Sequence, residues 1–250
     1  MIVEALSSRV QLCGAFAVEL GDRRVDQALP GRQGRLLFAF LALSRPQRVP
    51  RDALVDVLWA DSPPAAVAAA LNVVVSKVRA AVGPDVLRGR TELSLTLPEP
   101  AQVDVETALS SLHAAESALA RRDWRRAWTL ALTAQFVARR RFLPESDAAW
   151  AESWRRRLAE TYARGLECYA RACLELDGAE LPGAERAVRD LLEVAPLRET
   201  AHLLLMRALA ARGNVAEALA AYDRLRTLLR EELGVDPCQA VQDTYADLLA

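Results

Sequence analysis

Polar and apolar positions change period more than once along the first part of the chain. Over 9–20 they alternate: Val10, Leu12, Phe16, Val18 and Leu20 share one face and Glu19 falls on the other. Alternation of this kind predicts strands, with Gly14 as a break between two of them and Gly21-Asp22 as a turn. Over 32–44 the spacing becomes helical, through Leu36, Leu37, Phe40, Leu41 and Leu43, and Pro46 ends it. A second helix is predicted over about 51–59, opened by Pro50 and buried through Leu54, Val57 and Leu58. Asp61-Ser62-Pro63-Pro64 then reads as a capping side chain followed by proline, so a third helix is expected over about 64–82, stopped by Gly83-Pro84. Leu93, Leu95 and Leu97 alternate again, with Arg88-Gly89-Arg90 as the tip or flank of a hairpin.

Pro98-Glu99-Pro100 reads as a boundary, and everything after it is helical in pattern. Ala184, Val188 and Pro196 stand at spacings of zero, four and twelve, and Ala218 and Tyr222 repeat the first two steps 34 residues later. Thirty-four is the length of a tetratricopeptide unit, in which small residues let paired helices approach closely. The stretch from Ala118 to Trp124 also resembles that from Ala208 to Asn214, each preceding a further helix. The predicted fold class is therefore mainly α: an N-terminal winged helix-turn-helix with small β-sheets over 1–97, and a C-terminal tetratricopeptide-like helical domain over 98–250.

Two helices joined by a short turn and followed by a hairpin describe a DNA-binding winged helix. With Leu71 at angle zero and about 100° per residue, Leu71, Val74, Val75, Val78 and Val82 form one apolar stripe, while Asn72, Ser76 and Arg79 fall together at roughly 80–140°. Packed through its valines, the helix would present those three outward. Asn and Arg can pair bidentately with adenine and guanine edges. Arg88, Arg90 and Thr91 in the hairpin suit phosphate or minor-groove contacts. The same positions also fit a solvated helix face and an ordinary exposed turn. Arg139-Arg140-Arg141 and Arg155-Arg156-Arg157 are open to two readings, contact with phosphates or an acidic partner, and solvated surface.

Charge adds a little. Residues 1–97 carry a balance of +3 and residues 98–250 a balance of −4, the sign expected of a nucleic-acid module joined to a protein-binding one. Lys77 is the only lysine and follows no glycine-rich loop, which excludes a Walker-type nucleotide site. Cys13, Cys168, Cys173 and Cys238 form no CxxC and read as reduced structural cysteines. His113 is expected on a polar helix face and His202 packed or capping among leucines. No nucleophile stands beside a base and no ligand set has metal spacing, so an enzyme is not expected, nor any cofactor or metal. No span approaches the ~18 apolar residues a membrane helix needs, and the start at Met1–Leu6 lacks a leader pattern, so a cytoplasmic protein is expected.

Several stretches together resemble the Streptomyces antibiotic regulatory proteins, activators with an OmpR-like winged helix and a bacterial transcriptional activation domain. They are the run from Arg51 to Trp59 with Pro63-Pro64, the run from Ala70 to Arg79, the run from Pro196 to His202, the run from Ala218 to Tyr222, and the run from Glu231 to Pro237. The resemblance implies an activator that binds direct repeats in double-stranded promoter DNA as side-by-side dimers. It also implies RNA polymerase, through its sigma factor and alpha subunit, as a partner, and secondary-metabolite gene clusters as targets. By the same resemblance Asn72, Ser76 and Arg79 lie in the recognition helix, Arg51 and Lys77 contact phosphates, and Arg88, Arg90 and Thr91 belong to the wing. Two departures stand out: Glu92-Leu93 replaces the family's Gly-Tyr, and Ala68-Ala69-Ala70 replaces Arg or Asn before Leu71. Both remove features from the DNA side, and they motivate a second reading, a protein-interaction adaptor that kept the fold and lost strong DNA binding.

Overall fold

The computed structural model describes residues 7–60 and 62–250. Asp61, read above as a helix cap, and the stretch 1–6 lie outside the described residues. The chain divides into two compact units, one built from the chain up to Thr107 with Val137–Leu158, the other from Ala108–Phe136 with Ala159–Ala250.

The first unit opens with β1 (Ser8–Gln11), β2 (Ala17–Leu20) and β3 (Arg23–Arg24), then α1 (Gly31–Leu43), β4 (Val49–Pro50), α2 (Arg51–Trp59) and α3 (Val67–Val82). A wing follows, β5 (Leu87–Arg88) and β6 (Glu92–Leu95), and then β7 (Ala101–Val103). The next helices are α4 (Asp104–Ala120), α5 (Trp124–Ala138) and α6 (Ala149–Leu176). One sheet has the order β3-β2-β1-β7 and the other β4-β6-β5. Alternation sets the register: Val10 stands opposite Val18 across an antiparallel pair and opposite Val103 across a parallel one. In the wing Leu87 faces Leu95, and Leu93 faces Val49. Leu37, Phe38 and Leu41 of α1, Leu54 of α2 and Leu71, Val75 and Val78 of α3 close the core against Leu87, Leu93 and Leu95. Trp150 edges onto Phe40 and Phe142 at ring separations of 5.2 and 5.9 Å and donates its indole N–H to the Val57 carbonyl.

Two expectations need correction. The third helix begins at Val67, with Ala66 as an uncapped N-cap, rather than near 64. Ser62 and Pro63 each precede a proline, whose ring disfavours helical backbone in the residue before it. The chain after Pro100 is not wholly helical either, since Ala101–Val103 form the strand paired with β1.

The second unit is helical. It continues with α7 (Leu181–Val194), α8 (Glu199–Ala211), α9 (Val215–Leu233) and α10 (Gln239–Leu249). Small residues sit where helices come closest: Ala118, Ala127 and Ala172 cluster together, as do Cys173, Ala184 and Ala208. Ala184 and Ala218, 34 residues apart in the repeat, are both fully buried, in α7 and α9. Gly234 ends α9 in the left-handed conformation, at φ +70, which a glycine adopts without strain. All four cysteines are free; Cys13, Cys168 and Cys173 are buried and Cys238 is exposed. Burial pushes the thiol pKa of Cys168 up to about 12 and that of Cys173 to about 11.

His202 is buried in α8, with Nε2 2.9 Å from the Pro196 carbonyl. Desolvation holds its pKa below the ordinary 6.5, outweighing that carbonyl. The unfolded chain therefore binds the proton more readily than the folded one. Stability should be full above about pH 6.5 and should fall as the pH drops below it. Urea unfolding between pH 7.5 and 5.5 should show that slope, and His202→Asn should flatten it; an unchanged slope in the variant would reject the assignment.

Candidate nucleic-acid interface

The first turn of α2, one face of α3 and the wing converge on one surface of the first unit. Pro50, at φ −60 and ψ 147, directs the chain into α2 so that Arg51 is its first residue. The Arg51 backbone N–H donates to the Thr91 carbonyl at 3.3 Å, fixing the start of the helix to the wing. Its guanidinium donates to the Arg90 carbonyl at 3.1 Å and to Asn72 Oδ1. One side chain thus ties α2, α3 and the wing together.

Helix α3 packs as its period predicts except at Val74, which is only half-buried. Leu71, Val75, Val78 and Val82 are buried, Asn72, Ser76 and Lys77 are exposed, and Arg79 is half-buried. Arg79 donates from Nε to the Leu87 carbonyl at 3.0 Å and from Nη2 to the Gly89 carbonyl at 2.7 Å. Arg88 donates to the Asp85 carbonyl at 2.9 Å. The tip of the wing depends on Gly89, at φ +94, where an added Cβ would collide with the Glu92 carbonyl oxygen. Leu93, at the position of one departure noted above, is fully buried beneath the wing.

Arg51, Asn72, Ser76, Arg79, Arg90 and Thr91 line a single shallow concavity of about 390 Å³ with Val75 at its floor. Two of the eight sequence-derived candidates do not join it: Lys77 lies on the other flank of α3, and Arg88 is held back along β5. Among the described residues none of Arg51, Lys77, Arg79, Arg88 and Arg90 is in an ion pair. Elsewhere in the same unit Arg24, Arg35, Arg45 and Arg155 each face a carboxylate within 3.1 Å. The surface therefore carries cationic donors that make no ion pair among the described residues, although Glu92 and Asp52 stand nearby in sequence on the wing and α2. Such a face can hold phosphates and present polar groups to a groove.

Sequence reasoning passed over Val73, which is 52% exposed at mid-helix. The wheel that defines the buried stripe already excludes it, at about 200° from Leu71. The two arginine runs divide: Arg139, Arg141, Arg156 and Arg157 are exposed, as the solvated-surface reading expects, while Arg140 and Arg155 are partly buried. Arg155 is a largely buried staple, donating to the carbonyls of Phe142 and Leu143 at 3.1 and 2.9 Å and to that of Ser146. Arg157 lies over the Trp154 ring at 5.1 Å, and Arg140 lies 3.9 Å from Asp104. Among the described residues no group of His, Cys, Asp and Glu is arranged to hold a metal, and no helix is long and apolar enough to cross a membrane.

Comparison with known proteins is specific. Residues 103–249 match the model of the bacterial transcriptional activator domain. The regulatory protein AfsR of Streptomyces coelicolor is 32% identical over 226 residues, which are 87% of this chain and 22% of that protein. AfsR of Streptomyces griseus is 32% identical over 229 residues, 92% of this chain and 23% of that one. The chain thus spans less than a quarter of the length of these curated relatives. A solved structure titled Mycobacterium tuberculosis EmbR in complex with low affinity phosphopeptide aligns with a TM-score of 0.82 at 23% identity, over 97% of this chain and 65% of that one. That likeness shows a shared fold, a winged helix with a helical domain.

Proposed function

The chain belongs to the bacterial transcriptional activator domain family, in keeping with its resemblance to the Streptomyces antibiotic regulatory proteins, and from that premise we propose that this transcription regulator is a sequence-specific activator that reads promoter direct repeats through the face formed by α2, α3 and the wing. Residues 1–97 carry the DNA contacts and the tetratricopeptide-like helical pairs within 98–250 engage RNA polymerase through its sigma factor and alpha subunit. The targets are secondary-metabolite gene clusters, the protein acts in the cytoplasm as side-by-side dimers on DNA, and it needs no cofactor and catalyses no reaction.

The observation that carries this reading is the concavity itself: three elements, α2, α3 and the wing, bring Arg51, Asn72, Ser76, Arg79, Arg90 and Thr91 to one open face whose arginines pair with no carboxylate among the described residues. Arg88 on the wing and Lys77 on the far flank of α3 add positive charge beside this face. The adaptor reading keeps one observation in its favour, the aliphatic character of the outermost part of α3.

Binding of the purified chain to DNA from neighbouring promoters, measured across a salt series, separates the two. A reader should prefer its site over random duplex by at least ~10³ and show a steep salt slope. Equal weak binding to all sequences would establish the adaptor instead. Within the same titration, Lys77→Ala should weaken binding to specific and random duplexes alike and lower the salt slope by about 1. A loss confined to the specific duplex would mean that Lys77 reads a base.

A further inference from the structure

The side chains that project furthest from α3 are not the polar ones. On a wheel of about 100° per residue, Ala69, Val73, Ser76 and Ala80 lie within roughly 40° of the pole opposite Leu71. All four are exposed. Asn72 and Arg79 stand on the shoulder facing the wing, at about 100° and 80°, and Lys77 on the other shoulder. The pole is therefore aliphatic apart from one hydroxyl, and Val73 is its largest member.

The shoulder residues are already engaged. Asn72 Oδ1 accepts from the Arg51 guanidinium, which fixes the carboxamide against α2. Arg79 is held by Nε and Nη2 on two wing carbonyls. Both arginines connect the wing to the helix, which sets the angle at which α3 meets a groove.

We propose that Val73 is a specificity-determining residue that reads the C5-methyl group of thymine in the major groove, with Arg51 and Arg79 as positioning residues that act through the wing. The proposal rests on the DNA-binding reading above and deepens it. Thymine is the base that presents a methyl group in that groove, and an aliphatic side chain recognises it by excluding water from both surfaces. A branched side chain at the pole suits this, because its rotamer is already restricted by the helix and little freedom is lost on contact.

Deoxyuridine differs from thymidine only by that methyl, so it tests the contact directly. The full chain is first used to enrich duplexes from a random-sequence pool, and each thymine of the enriched duplex is then replaced singly by deoxyuridine. At one thymine in each repeat the wild-type affinity should fall roughly fourfold, the equivalent of one buried methyl group. Val73→Ala should be indifferent to that replacement while keeping the wild-type salt slope, and Val73→Ile should retain the sensitivity. An exposed helix position tolerates both substitutions, so folding does not confound the comparison. A wild type indifferent to every replacement, or a Val73→Ala variant as sensitive as wild type, would overturn the proposal while leaving the DNA-binding reading intact. So would a Val73→Ala variant that changes only the sedimentation of the DNA-free chain, since the pole would then be a surface for a second copy. Failure to enrich any sequence would sink the DNA-binding reading and this proposal with it.

Discussion

Arg155→Ala is expected to lower the stability of the unit that contains it by about 3 kcal/mol, the sum expected for several charge-assisted hydrogen bonds lost at once from a water-poor site. The side chain is only 13% exposed and its guanidinium serves three carbonyls, those of Phe142, Leu143 and Ser146. Nη1 also faces Glu152 at 3.0 Å. Phe142, Leu143 and Ser146 are themselves buried, so water cannot simply replace the lost donors. The segment also contains Leu143 at φ +40, a conformation an L-residue holds only under constraint from its surroundings. Lysine should recover part of the loss at most, because a single ammonium cannot reproduce a planar fork that reaches three acceptors. Urea unfolding of the two variants measures this. A loss below about 1 kcal/mol for alanine, the range of an exposed residue, would show that the carbonyls find other partners.

The second large effect concerns where the chain can be cut. A chain ended after Leu97 is expected to lose cooperative folding, even though every element of the wing and of α1 to α3 is retained. The cut removes β7, the parallel partner of β1. It removes Asp104, whose carboxylate accepts from the backbone N–H groups of Leu12 and Cys13 at 3.0 and 2.9 Å. It removes the Arg141 carbonyl that accepts from Gly14 and the Leu143 N–H that donates to Leu12. Trp150, which edges onto Phe40, and Phe142, which packs on Trp150, go as well. Leu12 and Cys13 would be left as a buried strand end without partners on one side, and unpaired buried backbone groups are among the more costly defects a fold can carry. Circular dichroism on heating should show a broad, featureless loss of signal for the fragment and a sigmoidal one for the full chain. A sharp transition in the fragment would refute the claim. The proposed division of roles at 97/98 is thus one of function along the chain, and tests of it are better made by point variants than by truncation.

How much of this could be read from the sequence depends on the range of the interactions involved. The switch from alternation to helical spacing located α1 and α2 closely, because Leu36, Leu37, Leu41, Leu54 and Leu58 face the core at the period their backbone imposes. The hairpin was legible for the same reason, with Leu93 and Leu95 buried on alternate positions. By contrast β7 has three residues, of which only Val103 is buried, and so short a strand carries no period. Its partner lies some ninety residues earlier, and nothing local announces it. The run Arg155-Arg156-Arg157 gives three identical symbols, yet the carbonyls offered by the loop at 142–146 single out the first of them. At the interface, the outward placement of Asn72 and Ser76 followed from the wheel alone. That Arg51 grips Asn72, and that Arg79 grips the wing, needed the hairpin folded back onto α3.

The distribution of the thiols has a practical side. With three of four enclosed in packed helices and strands, a maleimide dye added to the native chain has one accessible target, Cys238, in the link between α9 and α10. A fluorophore can therefore be installed there without removing any other cysteine, well away in sequence from α3 and the wing, and a signal that follows DNA titrations becomes available from the unaltered amino-acid sequence.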